Sequence, residues 1–146
     1  MANYRHILVA TDFSGEESPN VLARGKELAM QNGAKLSLIH VVEYTGSMYS
    51  GEIPLPEDIN LDQRMADQAN DRFKRLVAAN GLTQSECFVE IGIPKREIVR
   101  IAQEHEVDLI VLGSHGRHGL QLLLGSTANG VLHLATCDVL AVRVES

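Results

Sequence analysis

The hydrophobic positions of this chain fall into short apolar runs separated by longer stretches with a helical period. His6-Ile7-Leu8-Val9-Ala10 is apolar without alternation, which predicts a strand buried on both faces. Ser14-Gly15-Glu16-Glu17 reads as a capping box that opens a helix over 14–32, with Gly33 as its stop. Residues 35–42 predict the second strand. A second helix is expected over 61–79, with Met65, Ala69, Phe73, Leu76 and Val77 on one side and Asn80-Gly81 at its end. Residues 85–91 alternate, as a strand with one exposed face does, and this suits a sheet edge. Gly92-Ile93-Pro94 leads into a third helix, with Pro94 in its first turn and an apolar stripe of Ile98, Val99, Ile101 and Ala102. Strand four is expected over 108–113, helix four over 126–135 and strand five over 138–144.

Five strands alternating with four helices predict an α/β fold with a mainly parallel, doubly wound sheet. No internal repeat or composition break divides residues 1–146, so the chain reads as one domain. Residues 43–60 stand apart. They hold Gly46, Gly51, Pro54 and Pro56 and follow no period. A connection of that length is expected to serve a function or an interface. In doubly wound sheets, ligands sit beyond the carboxyl ends of the strands where the strand order reverses. If strands one and four are neighbours, Asp12, Val41 and Gly113 line one such crevice.

Composition narrows the classes. The chain has 146 residues, 45% of them hydrophobic and 22% charged, as in an ordinary soluble globular protein. A net charge of −6 with scattered Lys and Arg speaks against a nucleic-acid partner. Trp is absent and aromatics make up 4%, too few for a base-stacking surface. No run has the length of a membrane span and no leader pattern opens the chain, so the expected compartment is the cytoplasm. Cys87 and Cys137 form no Cys-x-x-Cys pair and read as buried, reduced thiols.

The chemistry concentrates in Gly113-Ser114-His115-Gly116-Arg117-His118-Gly119, followed by Gly125-Ser126-Thr127. A buried strand ending in glycine, then a second glycine with hydroxyls at a helix start, is how α/β proteins hold a phosphate. Two readings stand at each position. Gly113 and Gly116 serve either a turn or an anion site. Ser126 and Thr127 are either N-caps or phosphate contacts. Asp12 either begins a turn or bonds a ribose. Arg117 can add charge to an anion site. His115 and His118 lack a third ligand in their segment, which makes a metal site poor, and no metal is expected. His40 and His133 read as ordinary strand and helix positions. No catalytic constellation stands out: there is no Gly-x-Ser-x-Gly, no Walker-type lysine and no His-Glu-x-x-His. The glycine segment has no lysine, which speaks against efficient phosphoryl transfer.

Taken together, four pieces resemble the universal stress protein family over essentially the whole chain. They are the run from His6 to Ser14, Leu38-Ile39-His40-Val41, the glycine segment from Gly113 to Ser126, and Asp138-Val139-Leu140-Ala141-Val142. The resemblance implies a flavodoxin-like sheet of order 3-2-1-4-5 and a homodimer. It also implies a site for ATP or another adenine nucleotide in some members. Gly113, Gly116, Gly125 and Ser126 match the fixed positions of that motif, Asp12 the acidic residue facing adenosine, and Val41 the position near adenine. Eight residues separate Gly116 from Gly125 where the motif has nine. The segment over 44–51 looks like the A-type branch, whose members are generally regarded as not binding ATP. The expected function is therefore binding, with a weak adenine-nucleotide or phosphate pocket. The alternatives are a dimer that acts only through protein contacts, a slow ATPase and, more remotely, a flavodoxin-type electron carrier. The dimer edge is expected at Val139, Leu140, Ala141, Val142, Arg143 and Val144, because an apolar last strand at a sheet edge invites a second chain. The inducing stress and any further protein partner are not legible.

Overall fold

The computed structural model describes residues 3–11, 19–43, 56–114 and 125–143. The elements are β1 (His6–Ala10), α1 (Pro19–Asn32), β2 (Lys35–Glu43), α2 (Pro56–Asn80), β3 (Glu86–Gly92), α3 (Pro94–Glu104), β4 (Leu109–Gly113), α4 (Ser126–Leu134) and β5 (Asp138–Val142). They form a five-stranded sheet of order β3-β2-β1-β4-β5, and every ladder is parallel. This is the flavodoxin-like order that the resemblance implies.

The unbroken apolar runs occupy the interior for the expected reason. A parallel strand covered by helices on both faces has no solvent side to mark with polar residues. Ile7, Leu8 and Val9, like Ile110 and Val111, are completely buried. Their alternate side chains feed two cores. Ile7, Val9, Leu36, Leu38, Leu109 and Val111 pack under α1 and α2, around Phe73. Leu8, Ile39, Ile110 and Leu112 pack under α3 and α4, against Ile98, Ile101, Ala128 and Val131. The stripe read for the third helix is the buried face of α3.

Several boundaries differ from the expectation. α2 starts at Pro56 and β2 runs through Glu43, so the connection read over 43–60 shrinks from both ends to 44–55, which lies outside the described residues. Pro56 stands at the first helical position, where its missing N–H costs nothing. β5 ends at Val142, which leaves Arg143 beyond the strand; Val144 lies outside the described residues. The capping box at Ser14 also lies outside them. The helix stops are as read: Gly33 and Gly81 have φ of 63° and 68°, the left-handed conformation that glycine adopts without a steric penalty.

One polar cluster interrupts the interior at the amino end of the sheet. His6 and Ser37 are buried, on neighbouring strands. The His6 ring bonds the His105 carbonyl oxygen through Nδ1 (3.0 Å) and Ser37 Oγ through Nε2 (2.7 Å). The Asp108 carboxylate accepts the backbone N–H groups of Arg5 and His6 at 2.9 and 3.1 Å. Buried polar groups are satisfied throughout the described side chains.

Candidate functional site

β1 and β4 are hydrogen-bonded neighbours, with Ile7, Leu8 and Val9 opposite Leu109, Ile110 and Val111. From β1 the chain crosses through α1 to β2 on one side, whereas β4 and β5 lie on the other. The strand order therefore reverses between β1 and β4, and their carboxyl ends open the crevice that this topology reserves for ligands.

At the exit of β1, the Thr11 N–H and hydroxyl both donate to the Ile39 carbonyl, at 2.8 and 3.1 Å. The Thr11 carbonyl in turn accepts from His40 Nδ1 at 3.0 Å. The chain is thus pinned at the residue before Asp12, and Asp12 itself lies outside the described residues. His40, read from the sequence as an ordinary strand position, is the contact that fixes this exit. Its signal is slight: a half-buried histidine near the carboxyl end of a largely apolar strand. On the same strand, Val41 is half-buried and packs against the core beneath α3 and α4.

At the exit of β4, Gly113 is the last strand residue and pairs with Val142. It is a strand glycine, in keeping with the strand expected over 108–113. The next residue is fastened to β5, since the Ser114 N–H and Oγ both donate to the Val142 carbonyl, at 2.8 and 3.2 Å. His115, Gly116, Arg117 and His118 lie outside the described residues.

The start of α4 corrects another reading. The N-cap is Gly125, extended at φ −61° and ψ 155°, and no side chain caps the helix. Ser126 and Thr127 are the first two helical residues, one and two positions past the cap. The first intrahelical bond joins the Asn129 N–H to the Gly125 carbonyl at 2.9 Å. The N–H groups of residues 126–128 therefore have no acceptor within the helix. A short link leads from the end of α4 at Leu134 to the start of β5 at Asp138, so α4 runs antiparallel to the strands. Its N-terminus lies at the carboxyl end of the sheet, the end that also holds Gly113 and Val41. Free N–H groups and the positive end of the helix dipole favour an anion there.

Strong charged contacts elsewhere are already committed. Arg100 holds Glu97 and Glu90 at 2.7 Å each and Glu104 at 3.0 Å, which keeps the guanidinium protonated, Glu97 contributing most. The Lys35 ammonium bonds Glu86 at 2.6 Å and lowers that carboxyl group's pKa. Both cysteines are half-buried free thiols, and burial raises their pKa values, so neither is activated as a nucleophile. Among the described residues, no group of three or more His, Cys, Asp or Glu side chains is placed to hold a metal. No described helix is long and apolar enough to cross a membrane. An open groove at the opposite end of the sheet is lined by Tyr4, Arg24, Leu28 and Asp138, with Val139 and Leu140 of the candidate dimer edge. It shares no residue with the glycine crevice.

Comparison with known proteins places this geometry. The model of the universal stress protein family matches residues 3–143. Universal stress protein A homolog 1 of Coxiella burnetii is 40% identical over 96% of this chain and 96% of its own length. Homolog 2 of the same organism is 39% identical over 99% of each. The structure of universal stress protein UspA from Lactobacillus plantarum is 26% identical over 99% of this chain and 100% of that one, with a TM-score of 0.74. A universal stress protein solved in complex with cAMP is 28% identical over 99% and 100% of the two chains, with a TM-score of 0.64.

Proposed function

Because this chain belongs to the universal stress protein family, we propose that it works by binding an adenine nucleotide in the crevice at the carboxyl ends of β1 and β4. The uncapped start of α4 carries the proposal. Three N–H donors without helical partners follow an extended Gly125 at the end of the sheet where the topology calls for a ligand. Capping by a side chain would have used one of those donors, and no side chain caps this helix. The related cAMP complex supports an adenine nucleotide as that anion.

In this reading the backbone of Gly125, Ser126 and Thr127 holds phosphate, joined by Gly113, Gly116, His115 and Arg117. Val41 lies against adenine and Asp12 bonds the ribose hydroxyls, well away from the phosphates it would repel. The two-strand separation of Val41 on β2 from Gly113 on β4 suits a ligand with a base at one end and phosphate at the other. The protein acts by occupancy and not by turnover; among the described residues neither cysteine is activated as a nucleophile. It works as a homodimer joined at the β5 edge, in the cytoplasm.

Calorimetry with ATP, ADP and AMP, run beside a phosphate-release assay, tests this. Binding is expected, with an ATP dissociation constant above about 1 μM, because the glycine span is one residue short. Absence of binding for all three nucleotides would leave a protein that acts only through protein contacts. Steady phosphate release would make it a slow ATPase instead.

A further inference from the structure

α3 begins one residue after β3 ends, so its N-terminus also lies at the carboxyl end of the sheet, and it packs beside α4. At that contact, α4 carries Gly130. A Cβ built there would fall 2.4 Å from Lys95 Cδ, 2.9 Å from Lys95 Cβ and 3.2 Å from Lys95 Cγ. The lysine stem therefore occupies the space that a side chain at position 130 would fill.

The direction of that space matters. A helical Cβ leans toward the helix N-terminus, and residues 126 and 130 lie on one face, a single turn apart. The stem thus crosses α4 on the face of Ser126. The ammonium lies two bonds beyond Cδ, and the free N–H groups start about one helical turn, ~5 Å along the axis, from Gly130, a span that a lysine tip can cover. Lys95 is exposed and has no ion pair or hydrogen bond with another described residue. Glycine is the poorest helix former after proline. Of the atoms it accommodates, Lys95 Cδ and Cγ can swing aside, whereas Lys95 Cβ is held by the α3 backbone. The notch consequently governs where the Lys95 stem lies.

We propose that Lys95, its stem laid across the Gly130 notch, supplies the lysine that the glycine segment lacks and selects ligands with phosphates beyond the first. The proposal rests on the nucleotide reading above. A point charge on a long stem suits the distal, spreading charge of a di- or triphosphate, whereas the helix N–H groups take the phosphate nearest the nucleoside. Lys95 is a positioning residue for the ligand's tail, with no chemical step assigned to it.

The test is calorimetry with adenosine, AMP, ADP and ATP on the natural chain, Lys95→Met and Gly130→Ala. Methionine keeps a flexible stem in the notch and removes the charge. For the natural chain, affinity should climb from AMP to ATP. In Lys95→Met, ADP and ATP should weaken by about tenfold while adenosine and AMP stay unchanged. Gly130→Ala should reproduce that loss by pushing the stem aside. Added salt should erode the ATP advantage of the natural chain and leave the Lys95→Met values nearly flat. An unchanged AMP-to-ATP gradient in Lys95→Met overturns the proposal and leaves the nucleotide site standing. So does an equal loss for adenosine, which would make the lysine merely structural. If the natural chain binds none of the four ligands, the nucleotide site and the lysine's role fall together.

Discussion

The proton on the His6 ring is assigned by its partners. The His105 carbonyl can only accept, so Nδ1 carries the hydrogen, and Nε2 must accept from the Ser37 hydroxyl. Ser37 is completely buried, so no water replaces its hydroxyl easily. Ser37→Ala leaves a ring nitrogen without a partner in the interior. It is expected to cost about 1–3 kcal/mol of unfolding free energy, read by chemical denaturation. A loss of only a few tenths would mean that Nε2 finds another donor. His6 and Ser37 were legible as strand residues but not as a pair, because their meeting depends on the β1–β2 register. The same holds for His40 and Thr11. Their bond crosses two strands, and one sequence carries no pairing information of that kind. By contrast, Gly33 and Gly81 were readable as stops, since their left-handed backbone is a local demand that local sequence reveals.

At the scale of elements, α1 reaches the sheet through a glycine. A Cβ at Gly25 would fall 2.4 Å from Val9 Cγ2, and Val9 is fully buried and stiff about χ1. Two effects compete in Gly25→Ala. Helix propensity favours alanine by up to about 1 kcal/mol, whereas overpacking a closed core costs about 1–3 kcal/mol. The steric term should win, because Val9 has nowhere to go, and Tm should fall. Gly130→Ala should lower Tm less than Gly25→Ala, because Lys95 Cδ and Cγ can swing aside and only its Cβ is held by α3. The element pattern itself was largely legible: apolar runs of strand length alternate with helical stripes, and those two periods seldom imitate each other. The start of α2 was hidden because Pro54 and Pro56 read as loop residues, although Pro56 is a helix starter. The start of α4 at Ser126 was legible, whereas its cap was not. Hydroxyls at a helix start resemble caps, and only the backbone angles distinguish an extended Gly125 from a helical Ser126.

At the scale of the molecule, the two sheet edges differ. β3 carries Glu86 and Glu90, charges that discourage pairing with another chain. β5 reads Asp-Val-Leu-Ala-Val, and its last four residues are only half-buried. Symmetric pairing of two β5 edges would satisfy their outer N–H and C=O groups and bury Val139, Leu140 and Val142. Light scattering should find a dimer at tens of micromolar. Val142→Lys should raise its dissociation constant by about a hundredfold, because an ammonium would have to enter that contact. A natural chain that scatters as a folded monomer would refute this edge as the interface.

All five strands of one protomer point the same way, and an antiparallel joint between two β5 strands reverses that direction across the two-fold axis. The two crevices would then look out from opposite poles of the pair. One ligand could not bridge them, and one flat partner could not cover both. A tether carrying two nucleotides would have to run from one pair to the next. Such an assembly grows as a line of beads and never closes into a ring of two.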